Sequence, residues 1–341
     1  MGHKKKGVKS PSLHTQAYNV ITGMLNEGLG RSKKDDKNKG VTIKYIYSVS
    51  TYKSYMRHID YFLGWLKRTH PEVTTLSKAK KHVKEWLEGR EATGKYSAYT
   101  LQLETAALAK LFGISPDDKD RYVPPTRHRN DIIRSRCKTK SDAHFSEKKN
   151  ELLVAFCRST GLRRAGLTSI KPDCLIEKKE LPGLIESLKM KKTRTEREDA
   201  LISNYEKTKL FKNADYFIFV KEKGGKWRYA PVIGDADAVV RKIKSTPPGK
   251  RVWQHVSKAA DIHSYRGDYA VAIYKAHARE PEDIPYDKIN KGSGKKYQSD
   301  VYVCRGDLKG LMLDKSAMLI VEKALGHESL HTFASHYARN I

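Results

Sequence analysis

The stretch Ala324-Leu325-Gly326-His327-Glu328-Ser329, which leads on to Tyr337, decides how the rest of the chain is interpreted. A glycine that follows an apolar helical run is a common helix C-terminus, and a second short helix is predicted after it. Taken alone, the stretch is more typical of a capped helix followed by a solvated terminal helix than of a functional site. Its meaning therefore depends on the basic elements upstream.

The charge of the chain favours a polyanionic partner. The 341 residues include 67 Lys and Arg against 39 Asp and Glu, a formal net charge of +28. Such an excess attracts nucleic acid first and an anionic membrane surface second. No apolar run approaches the roughly 18 residues that cross a bilayer, and Met1 to Lys6 contains no apolar signal-peptide region. We expect a cytoplasmic, nucleoid-associated protein with no membrane partner.

The cysteines indicate neither a disulfide framework nor structural zinc. The four cysteines are scattered without C-x-x-C spacing. We expect them to be reduced, ordinary residues.

Shifts in composition predict two domains, an N-terminal arm and a linker. Residues 1–40 are predicted to be a basic arm with an amphipathic helix, and within them Gly28 to Gly40 is typical of a flexible linker. Residues 41–116 predict a compact four-helix module, because their apolar residues recur at helical spacing. Residues 117–143 predict a basic linker, and residues 144–341 a second domain.

Basic side chains outside the apolar faces are candidates for contacts with a phosphate backbone. In the helical module they lie off the apolar face of the first long helix, and in the linker they surround Pro124-Pro125. The alternative is an ordinary solvated surface. The candidates are Lys53, Arg57, Lys67, Arg68, Arg127, Arg129, Arg134 and Arg136.

The second domain opens with a predicted helix from Ser146, its expected N-cap, that buries Leu152, Leu153 and Phe156. The helix leads into Gly161-Leu162-Arg163, where the glycine turn places the arginine at the start of the next helix. An arginine after a helix break is more often a surface residue, so this motif alone is weak.

Two further motifs are also weak when taken singly. The segments Tyr216 to Val220 and Trp227 to Pro231 flank Gly224-Gly225, which predicts a β-hairpin with Lys223 at its tip. His263-x-x-Arg266 would lie on one face of a helix. The alternatives are an exposed turn lysine for the hairpin and a chance occurrence for H-x-x-R. A short helix is predicted between the two motifs, from Asp235 to Lys244.

In this order the motifs make the chain resemble the tyrosine recombinases, the integrases of phages, transposons and conjugative elements, from about Val41 to the end. The resemblance implies a mainly α fold with a small antiparallel β-sheet, made of a helical core-binding (SAM-like) domain and an α+β catalytic domain. Carried over position by position, it implies Tyr337 as the nucleophile and an activating set of Arg163, Lys223, His263, Arg266 and His327.

These residue types suit phosphodiester transesterification. Guanidinium forks match the charge that builds on non-bridging phosphate oxygens, and imidazoles can donate to the phosphate or accept the tyrosine proton. A hairpin lysine suits protonation of the leaving 5′ oxygen, and a tyrosyl intermediate conserves the bond energy without ATP. No cluster of carboxylates accompanies these residues, which disfavours a two-metal mechanism. No metal ligand is assigned, and no cofactor is implied.

The resemblance implies a site-specific recombinase that acts on double-stranded DNA at inverted-repeat core sites. It would clamp the duplex, form a 3′-phosphotyrosyl intermediate and resolve a Holliday junction, as a dimer on one site and a tetramer in synapsis. The alternatives are a type IB topoisomerase-like or telomere-resolving enzyme, and a catalytically silent DNA-binding protein. An RNA-binding or membrane-surface protein would explain the charge but not the ordered motifs.

The chain departs from the family pattern at several places. Gly166 stands where a glutamate is common, Gly267 stands where a second histidine is frequent, and the interval from His327 to Tyr337 is one residue longer than usual. The segments 177–212 and 281–298 are predicted insertions, either mobile loops or contact surfaces. Few residues follow Tyr337, so we expect residues 1–40 or the tyrosine segment to make the subunit contact, unless the chain is truncated.

Overall fold

The computed structural model of the chain describes residues 11–119, 121–128, 131–132, 144–222, 224–286, 288–289, 296–297 and 299–341. The chain divides into two compact units, Met1–Arg127 and His128–Ile341. The secondary structure is mainly helical with small antiparallel sheets, which confirms this coarse part of the predicted fold class. Among the described residues, no helix is both long and apolar enough to span a membrane.

The N-terminal unit is helical, and most of its helices begin at a hydroxyl N-cap. Ser12, Ser48 and Ser97, for example, each accept a hydrogen bond from the backbone N–H three residues further on, which satisfies a donor that the helix leaves unpaired. The helices are α1 Leu13–Gly28, α2 Lys33–Asn38, α3 Val49–Thr69, α4 Leu76–Ala79, α5 Val83–Ala92 and α6 Ala98–Phe112.

The core of this unit forms where the apolar faces of α1, α3, α5 and α6 meet. Ile59, Phe62 and Leu66 of α3 are fully buried, as the helical spacing predicts. Ile21 of α1 belongs to the same cluster, so the first helix packs within this core.

The flexible linker predicted for Gly28 to Gly40 is wrong, because this segment contains helix α2. Asp36 in α2 is buried and receives a bidentate pair of hydrogen bonds from Arg31, at 2.8 and 2.7 Å. Tyr47 donates a third hydrogen bond to the same carboxylate, at 3.1 Å. A composition of Gly, Ser, Lys and Asp gives no sign of this ion pair between a buried carboxylate and an exposed arginine, which holds the segment in place.

Part of the predicted linker 117–143 packs on the N-terminal unit. Tyr122 is buried, and its hydroxyl donates to Glu91 of α5 at 2.9 Å. Residues 133–143 lie outside the described part, so the linker prediction stays a prediction there.

The C-terminal unit places helices on both faces of a small sheet. In chain order its elements are α7 Glu151–Thr160, α8 Arg164–Leu167, β1 Leu175–Glu177, α9 Leu181–Met190, α10 Glu196–Asn204, β2 Tyr216–Lys221, β3 Trp227–Pro231, α11 Ala236–Lys244, α12 Ile262–Lys275, β4 Lys288–Ile289, β5 Lys296–Tyr297, β6 Val301–Val303, β7 Met312–Asp314, α13 Lys315–Leu325 and α14 Leu330–His336.

The predicted hairpin and the predicted helix near 235–244 are both confirmed. Strands β2 and β3 pair antiparallel with Phe219 opposite Tyr229, and β1 pairs with the other edge of β2. Strands β4 and β5, and β6 and β7, form two small two-stranded sheets. Asp235 caps α11.

Both faces of the three-stranded sheet are buried, because successive side chains of a strand point to opposite sides. Phe217 and Phe219 join a core with α9, α10, α12, α13 and α14. Ile218 and Val220 join a second core with α7 and α11. The sheet thus lies between two helical layers, and the candidate site lies at one end of it.

Two details of the C-terminal unit differ from prediction. Ser146 is not the N-cap of the α-helix: its hydroxyl accepts the backbone N–H of Lys149 in a short 3₁₀ turn, Lys148–Asn150, and the α-helix begins only at Glu151. With that start, Leu152 points to solvent (45 % exposed) while Leu153 and Phe156 are buried as predicted. The segment 177–212 is no mobile loop, because it forms α9 and α10, which bury Leu181, Ile185 and Leu201 against the sheet. Much of 281–298 lies outside the described residues.

Candidate functional site

The ends of five helices bring the predicted site residues of the C-terminal unit together. Helix α7 ends at Gly161 (φ 55°) and helix α13 at Gly326 (φ 69°), both left-handed conformations that favour glycine. Arg163 therefore stands at the N-cap of α8, and His327 follows α13 directly. Helix α12 carries His263 and Arg266 in its first turns, and Tyr337 ends α14.

Arg266 is the most deeply buried of these residues, at 1 % exposure. Its guanidinium donates to the carbonyl oxygen of Gly161 and, at 2.7 Å, to that of Leu325. It thereby joins the C-terminal ends of α7 and α13, where a positive charge is favourable. Burial first, with the neighbouring charge of Arg228, lowers the pKa of Arg266 to about 10, while Glu222 and Tyr337 act in the opposite direction. The guanidinium stays charged at neutral pH.

His327 lies between the two predicted arginines. Its Nε2 is 3.1 Å from Arg163 Nη2 and 3.3 Å from Arg266 Nη2. Since a guanidinium can only donate, we assign Nε2 as the acceptor and the ring proton to Nδ1.

Glu322 supports the other side of the His327 ring. Its Oε2 lies 3.1 Å from Nδ1, although the two atoms are not aligned for a standard hydrogen bond. Its Oε1 accepts the backbone N–H of Phe333 at 2.9 Å. A buried carboxylate of α13 thus links His327 to the helix that ends in Tyr337.

Tyr337 is packed against both histidines. Its ring is stacked with that of His327, 6.0 Å between centroids and 7° between planes, and edge-on to that of His263 at 5.9 Å. Tyr337 is only 4 % exposed. A side chain at Gly267 would place its Cβ 3.7 Å from the Tyr337 ring, so position 267 also borders the tyrosine.

Glu222, which none of the sequence motifs indicates, contacts the guanidiniums of the arginine cluster. Its carboxylate accepts the backbone N–H of Arg163 at 3.0 Å and the guanidinium of the same residue. It also accepts from Arg228 at 3.3 Å and lies 3.8 Å from Arg266 Nη1. Burial alone would raise the pKa of Glu222, but the charges of Arg228, Arg266 and Arg163 outweigh it and hold the pKa at about 2.

Arg228, also missed, completes the cluster from strand β3. It is 4 % exposed, donates to the carbonyl oxygens of Gly161 and Ala324, and contacts Glu222. One signal could have identified this pair. Arg228 stands opposite Val220 on the inward face of the hairpin, and a buried guanidinium there requires a carboxylate partner.

A cleft of about 310 Å³ opens beside the cluster. Arg163, His263 and Arg266 line it together with Arg164 and the exposed Lys258, which the sequence analysis did not single out. Arg164 donates to the carbonyl oxygens of Val256, Ser257 and Ala260, and so fixes the loop that precedes α12. Asp261 also lines the cleft, so the lining contains side chains of both charge signs, with the basic ones in the majority.

The remaining predicted residues lie elsewhere or cannot be placed. Lys53, Arg57, Lys67 and Arg68 are exposed on α3 of the N-terminal unit, and the guanidinium of Arg127 lies over the Tyr99 ring at 5.2 Å. Lys223, Arg129, Arg134 and Arg136 lie outside the described residues.

One histidine–carboxylate group in the N-terminal unit contains ligand types that transition metals accept, namely His70, His82 and Glu85. Each oxygen of Glu85 takes one imidazole, His70 at 3.3 Å and His82 at 3.0 Å, and the two rings are tilted against each other with centroids 3.9 Å apart. Hydrogen bonds from both imidazoles to one carboxylate account for this geometry.

No protein-family model matches the chain, and no curated protein sequence matches it.

Proposed function

We propose that the chain is a DNA strand transferase of the tyrosine recombinase type, with Tyr337 as its nucleophile. One observation carries this proposal: His327 Nε2 lies between the guanidiniums of Arg163 and Arg266 while its ring stacks on Tyr337. In-line attack on a phosphodiester requires a nucleophile and hydrogen-bond donors held in fixed positions around the phosphate. Here Tyr337 would be the nucleophile, and two guanidiniums and two imidazoles would be the surrounding groups.

In the proposed reaction the Tyr337 oxygen attacks phosphorus and the bond from phosphorus to the 5′ oxygen breaks. The products are a 3′-phosphotyrosyl linkage and a free 5′ hydroxyl. His263, edge-on to Tyr337, accepts the phenol proton. The reverse attack by a 5′ hydroxyl rejoins DNA, so no redox change and no external energy source is involved.

Arg163 and Arg266 would stabilise the charge on the non-bridging oxygens. Three guanidiniums surround the single carboxylate of Glu222, which leaves this group with a net positive charge. Two of the three, those of Arg163 and Arg266, belong to residues that line the cleft. By analogy with deleted oxyanion donors, each catalytic fork is worth about 3–4 kcal/mol of transition-state stabilisation. His327, whose Nε2 is placed to accept from both guanidiniums, would keep their orientation.

A lysine would supply the proton to the leaving 5′ oxygen. Lys223 is assigned this role by its place in the hairpin motif, and Lys258, which lines the cleft, is the second candidate. A substrate with sulfur in place of the bridging 5′ oxygen distinguishes them, since a thiolate leaves without a proton. The variant of the acid lysine should regain cleavage on that substrate, and the variant of the other lysine should show no selective rescue.

The N-terminal unit would act as the core-binding (SAM-like) domain and the C-terminal unit as the catalytic domain. Together they would clamp double-stranded DNA at inverted-repeat sites, as a dimer on one site and a tetramer in synapsis. The exposed cations of α3 are the proposed phosphate contacts of the N-terminal unit. This activity places the protein on chromosomal or element DNA in the cytoplasm.

The proposal is tested by mixing the full chain with nicked duplexes from the ends of its encoding element and resolving the products on a denaturing gel. Wild type should give a band that carries DNA through its 3′ phosphate, and Tyr337→Phe should give none while binding the duplex equally well. Tight binding without any wild-type adduct would instead support a catalytically silent DNA-binding protein. Strand exchange between two duplexes, against relaxation of one, separates a recombinase from a type IB topoisomerase-like enzyme.

A further inference from the structure

Gly166 occupies a position where the backbone does not require glycine. The residue lies in α8 and is buried, and its φ is outside the left-handed region. Glycine within a helix costs about 0.5–1 kcal/mol relative to alanine. Its presence there calls for a reason in the surroundings.

The surroundings of Gly166 are the carboxylate of Glu222. A Cβ built at position 166 would lie 3.4 Å from Glu222 Oε1 and 3.6 Å from Val220 Cγ2. A longer side chain at 166 that extends towards Glu222 would therefore enter the volume that the Glu222 carboxylate occupies. Conversely, a glutamate at 166 could bring its own carboxylate to the same place, because that separation is comparable to the span of a glutamate side chain beyond its Cβ.

The place itself is defined by its donors. Glu222 accepts two hydrogen bonds from Arg163, one from the backbone and one from the guanidinium, and shares its charge with Arg228 and Arg266. Without a carboxylate here, three guanidiniums would face one another in a buried site. Glu222 is thus the carboxylate that the three guanidiniums share.

We propose that Glu222 and Gly166 form a coupled pair, in which the end of β2 supplies the carboxylate that positions Arg163 and Gly166 leaves the space for it. The family pattern has a glutamate at the position of Gly166. In this chain a carboxylate reaches the same place from a different element, the end of β2, through Glu222. Glu222 is a positioning residue, and its role in strand cleavage rests on the proposed function.

A double-mutant cycle on the full chain tests the coupling. Glu222→Ala should lower the rate of Tyr337 adduct formation at least 10-fold, and Gly166→Glu should do the same by placing a second carboxylate against the first. The double variant, Gly166→Glu with Glu222→Ala, should recover to within about 3-fold of wild type. DNA affinity should stay unchanged in all three variants, a separation that general unfolding would not give.

Glu196→Gln is the matched control. Glu196 is an exposed carboxylate that receives hydrogen bonds from Lys221 and Trp227 of the same hairpin, so its loss should leave the adduct rate unchanged. Glu222→Gln is the conservative variant: it keeps the shape of Glu222, removes its charge, and should lower the adduct rate as Glu222→Ala does.

Thermal unfolding keeps this test independent of the proposed function. If wild type forms no adduct, the strand-transfer proposal fails, and the cycle is then measured on the unfolding midpoint. The coupling survives if the double variant unfolds at a higher temperature than either single variant. The inference is overturned if the effects of the two substitutions are independent and additive. The adduct rate decides this if wild type forms the adduct, and the unfolding midpoint decides it if wild type does not.

Discussion

Individual side chains in the cluster are held by several partners at once. His327 contacts Arg163, Arg266 and the carboxylate of Glu322, and Arg266 also binds the ends of two helices. The order of motifs in the sequence predicts which of these residues belong to one site. The order of motifs does not include Glu222, which contacts Arg163 only when the hairpin has folded; the buried arginine in strand β3 is the one sequence signal for a carboxylate partner.

The fork geometry of Arg163 should matter more than its charge. Arg163→Lys keeps one positive charge but cannot contact both Glu222 and His327, so the adduct rate should fall by about 100- to 1,000-fold. DNA affinity, measured by fluorescence anisotropy, should change little. A lysine variant with the wild-type rate would show that charge alone suffices.

Glu222 should also give the protein an acid-sensitive contribution to stability. Its usual pKa is 4.5 and its folded pKa is about 2, so the folded state binds a proton less readily than the unfolded state. The stabilisation is present above about pH 4.5, on the order of 3 kcal/mol, and is lost as pH falls towards 2. The difference in unfolding free energy between wild type and Glu222→Gln should therefore be constant above pH 5 and shrink below 4.5. A difference that stays constant down to pH 2.5 would contradict this pKa.

The elements that carry the site were predictable where their local patterns are strong. The hairpin β2–β3 and the cap of α11 follow from turn glycines and an N-cap aspartate. Helices α2, α9 and α10 were missed for one physical reason. Their segments are rich in charge, and what orders them is tertiary contact, the ion pair of Asp36 and the packing of Leu181 and Leu201.

Two helix-ending glycines allow the cost of close packing to be separated from the cost of backbone strain. Gly161 and Gly113 both end helices with left-handed φ, 55° and 60°. A Cβ at 161 would lie 2.2 Å from the ring of Tyr269, whereas a Cβ at 113 would have nothing within 4 Å.

Gly113→Ala should cost about 1 kcal/mol of stability from strain alone. Gly161→Ala should cost at least 2 kcal/mol more, because the ring must move from a packed core. Denaturant unfolding measures both variants. If both variants lose the same unfolding free energy, moving the Tyr269 ring has no measurable energetic cost, which would contradict the prediction.

For the whole molecule, net charge and the α3 surface predict salt-dependent binding. The +28 charge and the exposed Lys53 and Arg57 indicate electrostatic attraction to the DNA backbone. If Lys53 contacts a phosphate, Lys53→Ala should lower the slope of log affinity against log salt by about 1, irrespective of DNA sequence. Lys53→Arg should keep the slope, and an unchanged slope in the alanine variant would remove Lys53 from the interface.

The organisation of the whole chain was only partly accessible to sequence reasoning. Helical periodicity predicts a helical N-terminal module, but nothing local shows that Ile21 of α1 enters the same core as Phe62 of α3. Such contacts join residues distant in the chain and depend on the three-dimensional packing of their faces.

The most direct test of strand transfer through Tyr337 is to digest the trapped protein–DNA adduct and identify the modified peptide by mass spectrometry. The nucleotide should be found on Tyr337 and nowhere else. Tyr337→Phe should yield no modified peptide, and Tyr286→Phe, which removes an exposed hydroxyl outside the cluster, should yield the same peptide as wild type. A nucleotide attached to any other residue, or an adduct that survives Tyr337→Phe, would contradict the assignment of Tyr337 as nucleophile.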